Sequence, residues 1–268
     1  MMTEERPKKT EEYRKWLEER FDVRVGERRK SHYKSVTSSI KSSFETSNFW
    51  NQFLKNLKTS NDEYFIKSRG YNLLIPPYKP KVTIKPFESF FSKTFRKNVI
   101  FNKNWPSEPT DGWILPNNWF IKINDIIRTL IIVKYLDGVE FLSNSIEDLC
   151  NRHNISFKKF YEAREEGYYA LHLYIDIIFE IPIISFWDTE SIPVTIEIQL
   201  TTQLQEVIRL LLHRYYEKLR EKQPKVDLKK WQWNYQSEEF VMNYLGHMLH
   251  YIEGMIMEIR EKQKELTR

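Results

Sequence analysis

Val194-Thr195-Ile196-Glu197-Ile198-Gln199-Leu200-Thr201-Thr202 alternates apolar and polar residues as far as Thr201. Successive side chains of a strand point to opposite faces. Val194, Ile196, Ile198 and Leu200 therefore turn to a core, and Thr195, Glu197, Gln199 and Thr201 turn away from it. A mid-strand Glu is unfavourable by propensity. A solvated strand face is the plain explanation for such a polar row. Upstream, Tyr169 to Ile181 repeats the pattern, with Tyr168, Ala170, His172, Tyr174 and Asp176 on one parity and Tyr169, Leu171, Leu173 and Ile175 on the other. Gly167 permits a tight turn into that strand. Further back, Ile126 to Tyr135 is apolar and β-branched, which predicts a buried strand, and Asp125 stands at its mouth. Two polar strand faces and a carboxylate at a sheet end make a place for chemistry.

The flanks read as helices. Tyr13, Trp16, Leu17 and Phe21 give helical spacing over 11–22, and residues 31–58 continue it. Asn61-Asp62 and Pro76-Pro77 bracket a segment expected to be irregular, Pro86 introduces a short helix over 87–98, and 104–118 reads as a loop. Helices are expected over 139–152, 203–221 and 237–264, and the last strands are joined through Pro182 and Pro193. The expected fold class is α+β, a central mixed β-sheet flanked by helices with helical N- and C-terminal extensions. The expected organisation is one domain: a loose tail over 1–10, an N-terminal helical region over 11–80, a core over 81–221 and a C-terminal helix over 236–268.

The chain has 268 residues, 41% hydrophobic and 29% charged, an ordinary globular composition. Net charge is +5, but residues 1–100 hold 22 Lys and Arg against 12 Asp and Glu, and residues 101–268 hold 20 against 25. Such asymmetry suits a polyanionic ligand at the basic side, and it also suits plain solvated surface charge. Cys150 is the one cysteine, so no disulfide forms within the chain, which fits a reducing cytoplasm. Met1 to Thr10 is polar, unlike a signal peptide. Ala170 to Trp187, the most apolar stretch, is interrupted by His172, Asp176 and Glu180, so no membrane span is expected. A cytoplasmic protein without membrane or DNA partners follows as the expectation.

Gly167-Tyr168-x-x-x-His172, followed about 25 residues later by Ile196-Glu197-Ile198-Gln199, resembles paired motifs of RelA/SpoT-type synthetase domains. Asp125-Ile-Ile-Arg-Thr-Leu-Ile-Ile-Val133, with Tyr135-Leu-Asp-Gly138, is similar to the toxic small alarmone synthetase branch of toxin–antitoxin pairs. Lys85-Pro-Phe-Glu-Ser89-x-x-x-Lys93-x-x-Arg96-Lys97 resembles the family's basic ATP-holding helix. The resemblance spans residues 80–215 and implies a nucleotidyltransferase-like fold and an ATP-dependent pyrophosphokinase. It implies Mg²⁺ on Asp125, and Glu197 either sharing that metal or acting as general base. Tyr168 would stack on the acceptor base, with His172, Gln199 and Arg164 supporting the acceptor. Lys85, Ser89, Lys93, Arg96 and Lys97 would bind ATP phosphates, with Arg128 beside them. Phosphoryl transfer asks mainly for positioning and charge neutralisation. With seven glycines and no GxxxxGK[ST] loop, the cradle here would be Lys and Arg side chains. On a helix, Lys85, Ser89, Lys93 and Arg96 would share one face; a solvated basic face is the alternative.

Leu130 stands where the family's housekeeping members carry Arg, and Thr201 stands in place of another. Fewer basic groups favour an acceptor without a 5′-diphosphate. The leading expectation is pyrophosphate transfer to the 3′-OH of the tRNA CCA end by a translation-inhibiting toxin with a cognate antitoxin partner. The alternatives are synthesis of ppGpp or ppApp from ATP and a nucleotide, and an inactive RNA-binding module. No histidine precedes Asp, so the family's HD hydrolase motif is absent from this sequence. Arg28, Arg29 and Lys30 are candidate RNA contacts, within a basic set that includes Arg24 and Lys34. Lys222, Lys225, Lys229 and Lys230 with Trp231 and Trp233 form a second set. His247, His250 and Glu253 have spacing that admits a metal face, though Gly246 points to tight helix packing instead. The stripe Phe240, Tyr244, Met248, Tyr251, Ile252 and Met255 reads as core or partner surface.

Overall fold

The computed structural model describes residues 5–76, 79–182, 188–211 and 230–266. Helices α1 (Thr10–Phe21), α2 (Glu27–Thr46) and α3 (Asn48–Lys67) open the chain. Strand β1 (Val82–Ile84) leads into α4 (Phe87–Phe95), which widens into a π-turn over Arg96–Ile100. Short α5 (Trp119–Lys122), β2 (Ile127–Val133) and α6 (Leu136–Arg152) follow. Then come β3 (Ser156–Ala163), β4 (Tyr169–Pro182) and β5 (Thr189–Thr202). Helix α7 begins at residue 203 and is described to residue 211, and α8 (Glu238–Leu266) comes last. The strands form one mixed sheet in the order β1-β2-β5-β4-β3, the architecture that the alternation of β4 and β5 predicts.

Side chains fix the registers. Thr83 Oγ1 donates to the Arg128 carbonyl and Lys85 N–H to that of Ile126, so β1 and β2 are antiparallel. Across β4 and β5, the Thr195 hydroxyl donates to Asp176 (2.6 Å), the Tyr174 hydroxyl to Glu197 (3.4 Å) and the Ser191 hydroxyl to Glu180. One strand ascends as the other descends, and the same register sets His172 opposite Gln199.

The chain divides into two compact units, one of Met1–Trp50, Val82–Arg128 and Tyr174–Glu197, the other of Asn51–Lys81, Thr129–Leu173 and Ile198–Arg268. The first has an aromatic core. Tyr13 packs on Phe91 and Phe95, and Tyr33 on Phe87, Phe90 and Phe120. Fully buried Asn98 donates to the Tyr13 hydroxyl and the Ile114 carbonyl and accepts from Ile114 N–H, which ties the long loop to the π-turn. In the second unit, Arg260 lies over the rings of Tyr71 and Tyr135, each 4.2 Å away, and donates to Tyr64 and Asp137.

Several local expectations are corrected. The helical stretch over 31–58 is two helices broken at Ser47, whose hydroxyl accepts from Trp50 N–H and starts α3. Asn61-Asp62 does not begin an irregular segment but lies inside α3, because buried Asn61 Oδ1 accepts from the backbone N–H groups of Leu73 and Leu74 at 3.1 Å each. That long-range need overrides the weak helix propensity of Asn. Lys85 precedes α4 rather than sharing its face, since Lys85 extends the β1 pairing, while Pro86 introduces the helix as expected. Pro193 lies within β5, in its largely exposed first part, not before it. Strand β1 is missed for its three residues. Strand β3 is missed because its mostly exposed side chains at a sheet edge carry no alternating signal. The expected helix over 203–221 lies outside the described residues beyond 211.

Asn61→Ala strands two buried N–H groups. We expect a loss of about 2–4 kcal/mol in urea unfolding. Asn61→Asp, which keeps an acceptor oxygen, should lose less.

Candidate active site

The first unit places two ammonium groups on one carboxylate. Lys85 Nζ lies 2.8 Å from Asp125 Oδ2 and Lys93 Nζ 2.9 Å from Oδ1, the Asp125 side chain being 14% exposed. Burial pushes the Asp125 pKa up, but Lys93 and Lys85 more than offset it and bring the carboxyl from 3.8 down to about 2. At Lys85, burial outweighs the attraction of Asp125 and lowers the ammonium's pKa. Buried Oδ1 accepts no well-aligned hydrogen bond, although it lies at ion-pair distance from Lys93. Charge and hydrogen-bond geometry differ here; the ion pair governs the ionisation, and Oδ1 keeps acceptor capacity.

The remaining cations of α4 and the π-turn stand nearby along the chain. Arg96 Nη1 donates to Ser92 Oγ at 3.0 Å. Desolvation and then the Lys93 charge lower the pKa of Lys97. Ser89 is exposed on α4, one turn before Lys93. Arg128 and Leu130 share the half-buried parity of β2. Two residues that the sequence reading omits matter here. The Tyr33 hydroxyl, from α2, donates to the Lys85 carbonyl at 2.7 Å. Lys122 donates to the Asp111 and Trp113 carbonyls and adds positive charge near Lys97. Glu197, in the same unit, is 3% exposed and accepts the Tyr174 hydroxyl.

The second unit gathers Tyr168, His172, Gln199 and Arg164. Arg164 pairs with Glu162 and its guanidinium lies 5.5 Å from the Tyr168 ring centre. His172 is 6% exposed, with Nε2 3.7 Å from Glu162 Oε2. Glu162 escapes sequence reading because β3 itself does. Arg209 on α7, paired to Glu206 at 2.5 and 2.7 Å, is a further cation whose charge reaches Tyr168.

Arg28 is exposed, the Arg29 side chain donates to the Arg24 carbonyl, and Lys30 pairs with Glu88 at 3.2 Å. Lys222, Lys225 and Lys229 lie outside the described residues. His247, His250 and Glu253 form a packed, hydrogen-bonded helix face rather than a metal face, their partners including Tyr169 and Thr202. Of the apolar stripe, Tyr244, Met248, Tyr251, Ile252 and Met255 are exposed. Burial raises the Cys150 thiol to about 12, so it is inert at neutral pH. Among the described residues, no cluster of three or more His, Cys, Asp or Glu is placed to hold a metal, and no helix is long and apolar enough to cross a membrane.

No family model and no curated protein matches the chain by sequence. Solved structures do match by fold. The chain is similar to smu.1046c from Streptococcus mutans UA159, with 15% identity and a TM-score of 0.51 over 88% of this chain and 95% of that one. It is similar to a GTP pyrophosphokinase family protein from Streptococcus pneumoniae, with 14% identity and 0.50 over 95% and 96%. It is also similar to small alarmone synthetase 1 from Bacillus subtilis bound to its product pppGpp, with 16% identity and 0.50 over 81% and 100%. These likenesses establish the fold, a mixed sheet with flanking helices.

The Asp125 shift predicts a pH signature. A fall from 3.8 to about 2 corresponds to about 2 kcal/mol. The folded chain binds this proton less readily than the unfolded chain, so the contribution is full above 3.8 and fades as pH falls toward 2. Asp125→Asn should be less stable by about that amount at pH 7, with the gap narrowing across that acid window in urea titrations.

Proposed function

We propose that this chain is an ATP-dependent pyrophosphokinase that moves the β,γ-diphosphate of ATP onto a ribose hydroxyl and releases AMP. The carrying observation is the largely buried carboxylate with two ammonium partners, in a region where Lys97, Lys122 and Arg128 add further positive charge. Such a surplus attracts a polyphosphate. Lys85, Lys93, Arg96 and Lys97 would hold the phosphates, with Ser89 and Arg128 assisting. Tyr33 would fix the Lys85 backbone.

Mg²⁺ fits the donor set. Asp125 and Glu197 are hard oxygen donors, and Asp125 Oδ1 retains a buried acceptor site. Among the described residues no third carboxylate or His joins them in a metal cluster, which suits a cation that relies on substrate phosphates and water. Bound there, Mg²⁺ would neutralise phosphate charge. Glu197, as the alternative to sharing the metal, would take the proton of the attacking hydroxyl. Tyr168 would stack on the acceptor base, with His172, Gln199 and Arg164 beside it.

For the acceptor, the reading is the 3′-OH of the tRNA CCA end, in a translation-inhibiting toxin held by a cognate antitoxin. Leu130 on β2 and Thr201, 3% exposed with its hydroxyl turned to the Tyr169 carbonyl, offer no charge for a 5′-diphosphate. The surplus of Lys and Arg over residues 1–100, with Arg28, Arg29 and Lys30 on α2, suits an RNA backbone. A second reading, synthesis of ppGpp or ppApp, draws on the fold neighbour bound to pppGpp.

Incubation with γ-labelled ATP, Mg²⁺ and either tRNA or GDP, GTP and AMP separates these. Label is expected in tRNA; label confined to nucleotides would select the second reading. Asp125→Asn and Glu197→Gln should each cut transfer at least about 100-fold. Undiminished transfer by both would refute the assigned chemistry. No transfer by the native chain, with RNA binding retained, would leave an RNA-binding module.

A further inference from the structure

We infer that His247 and Gly246 of α8 are positioning residues that hold the 164–168 turn and so orient Tyr168; the functional part of this rests on Tyr168 meeting the acceptor base. The turn closes on itself through two backbone bonds, Arg164 N–H to the Tyr168 carbonyl (3.0 Å) and Gly167 N–H to the Arg164 carbonyl (2.9 Å). Those bonds shape the turn but do not anchor it to anything else. Glu165 at its tip is exposed.

The anchor is α8. A Cβ on Gly246 would fall 2.5 Å from the Gly167 carbonyl oxygen, and a Cβ on Gly167 would fall 2.6 Å from the Asn243 carbonyl oxygen. Backbone therefore meets backbone, and neither position has room for a side chain. Gly167 also has φ of 77°, in the left-handed region. His247 then spans the turn: Nε2 lies 2.8 Å from the Glu165 carbonyl oxygen and Nδ1 2.8 Å from the Tyr169 hydroxyl. A carbonyl only accepts, so Nε2 carries the proton and Nδ1 accepts from Tyr169. One imidazole thus grips the residues on either side of Gly167-Tyr168. The Tyr169 ring stacks on His250 at 3.7 Å, and His250 contacts Glu253, which accepts the Thr202 hydroxyl at the end of β5. The turn is seated on one side by helix backbone and on the other by a chain that runs into the sheet.

A stacking contact contributes its full free energy only when the ring is already oriented. The test compares His247→Ala, His247→Gln and Tyr168→Ala. Amide exchange over 164–169 is measured along with separate KM values for ATP and for the acceptor that the native chain labels. His247→Ala should speed exchange in the turn and raise the acceptor KM about tenfold, with the ATP KM changed less than about twofold. His247→Gln, which keeps a donor for the Glu165 carbonyl, should recover part of both. Gly246→Ala should act in the same direction as His247→Ala. Unchanged exchange in His247→Ala would refute the clamp. Faster exchange with an unchanged acceptor KM, while Tyr168→Ala raises it, would refute the positioning role alone. A parallel rise in both KM values would mark a merely structural residue and overturn the inference. An unchanged acceptor KM in Tyr168→Ala would instead overturn the stacking assignment, and the inference with it.

Discussion

In the first unit two ammonium groups are held within 2.9 Å of one largely buried carboxylate. Each attraction is roughly 6 kcal/mol at an effective dielectric of about 20, before desolvation is counted. Burial pushes the Asp125 carboxyl up, and Lys93 and Lys85 together more than offset it. The partners come from different sources: Lys85 from the end of β1, Lys93 from the middle of α4. The residues between them must therefore turn from strand to helix within a few positions. Pro86 makes that turn, with backbone angles that end a strand and begin a helix. Phe87, Phe90 and Phe91 then bury one side of α4 and leave Lys93 facing the carboxylate.

Because the lysines outnumber the carboxylate, the cluster is not self-sufficient. An ion pair of equal charges would be a structural staple. A surplus of cations, held partly out of water, is a standing demand for an anion. The aromatic core beneath it serves that arrangement. Tyr33 spends its one hydroxyl on the Lys85 backbone, so the helix that carries Tyr33 steadies the lysine without touching its charge.

What was legible in the sequence follows from range. The alternation of β4 and β5 depends on neighbours two residues apart and is legible as their two faces, whereas the register that sets His172 opposite Gln199 is fixed by cross-strand bonds. Asp125 was legible from its place before an apolar strand. Tyr33 was not, because its bond to Lys85 joins positions 52 apart and leaves no local pattern. Asn61 misled for the same reason: its residue type argues for a turn, while its distant partners keep it in a helix. Glu162 was lost with β3, whose edge position lets it carry exposed lysines and aromatics in any order. The basic segment is legible through its resemblance, but its geometry is not, since Lys85 reaches Asp125 from the end of β1 and not from the helix. At α8 the histidine spacing left metal and packing open, and only the distances separate them.

The meeting of Gly167 with Gly246 also has a consequence in time. The ribosome makes Gly246 about 80 residues after Gly167. At ordinary elongation rates this is a delay of roughly 4 to 16 s. Until then the backbone contact between Gly167 and Gly246 cannot form. The Asp125 cluster, built from residues 85 to 125, has all its parts far earlier. The nascent chain thus holds every residue of the Asp125 cluster well before it holds the glycine that meets Gly167.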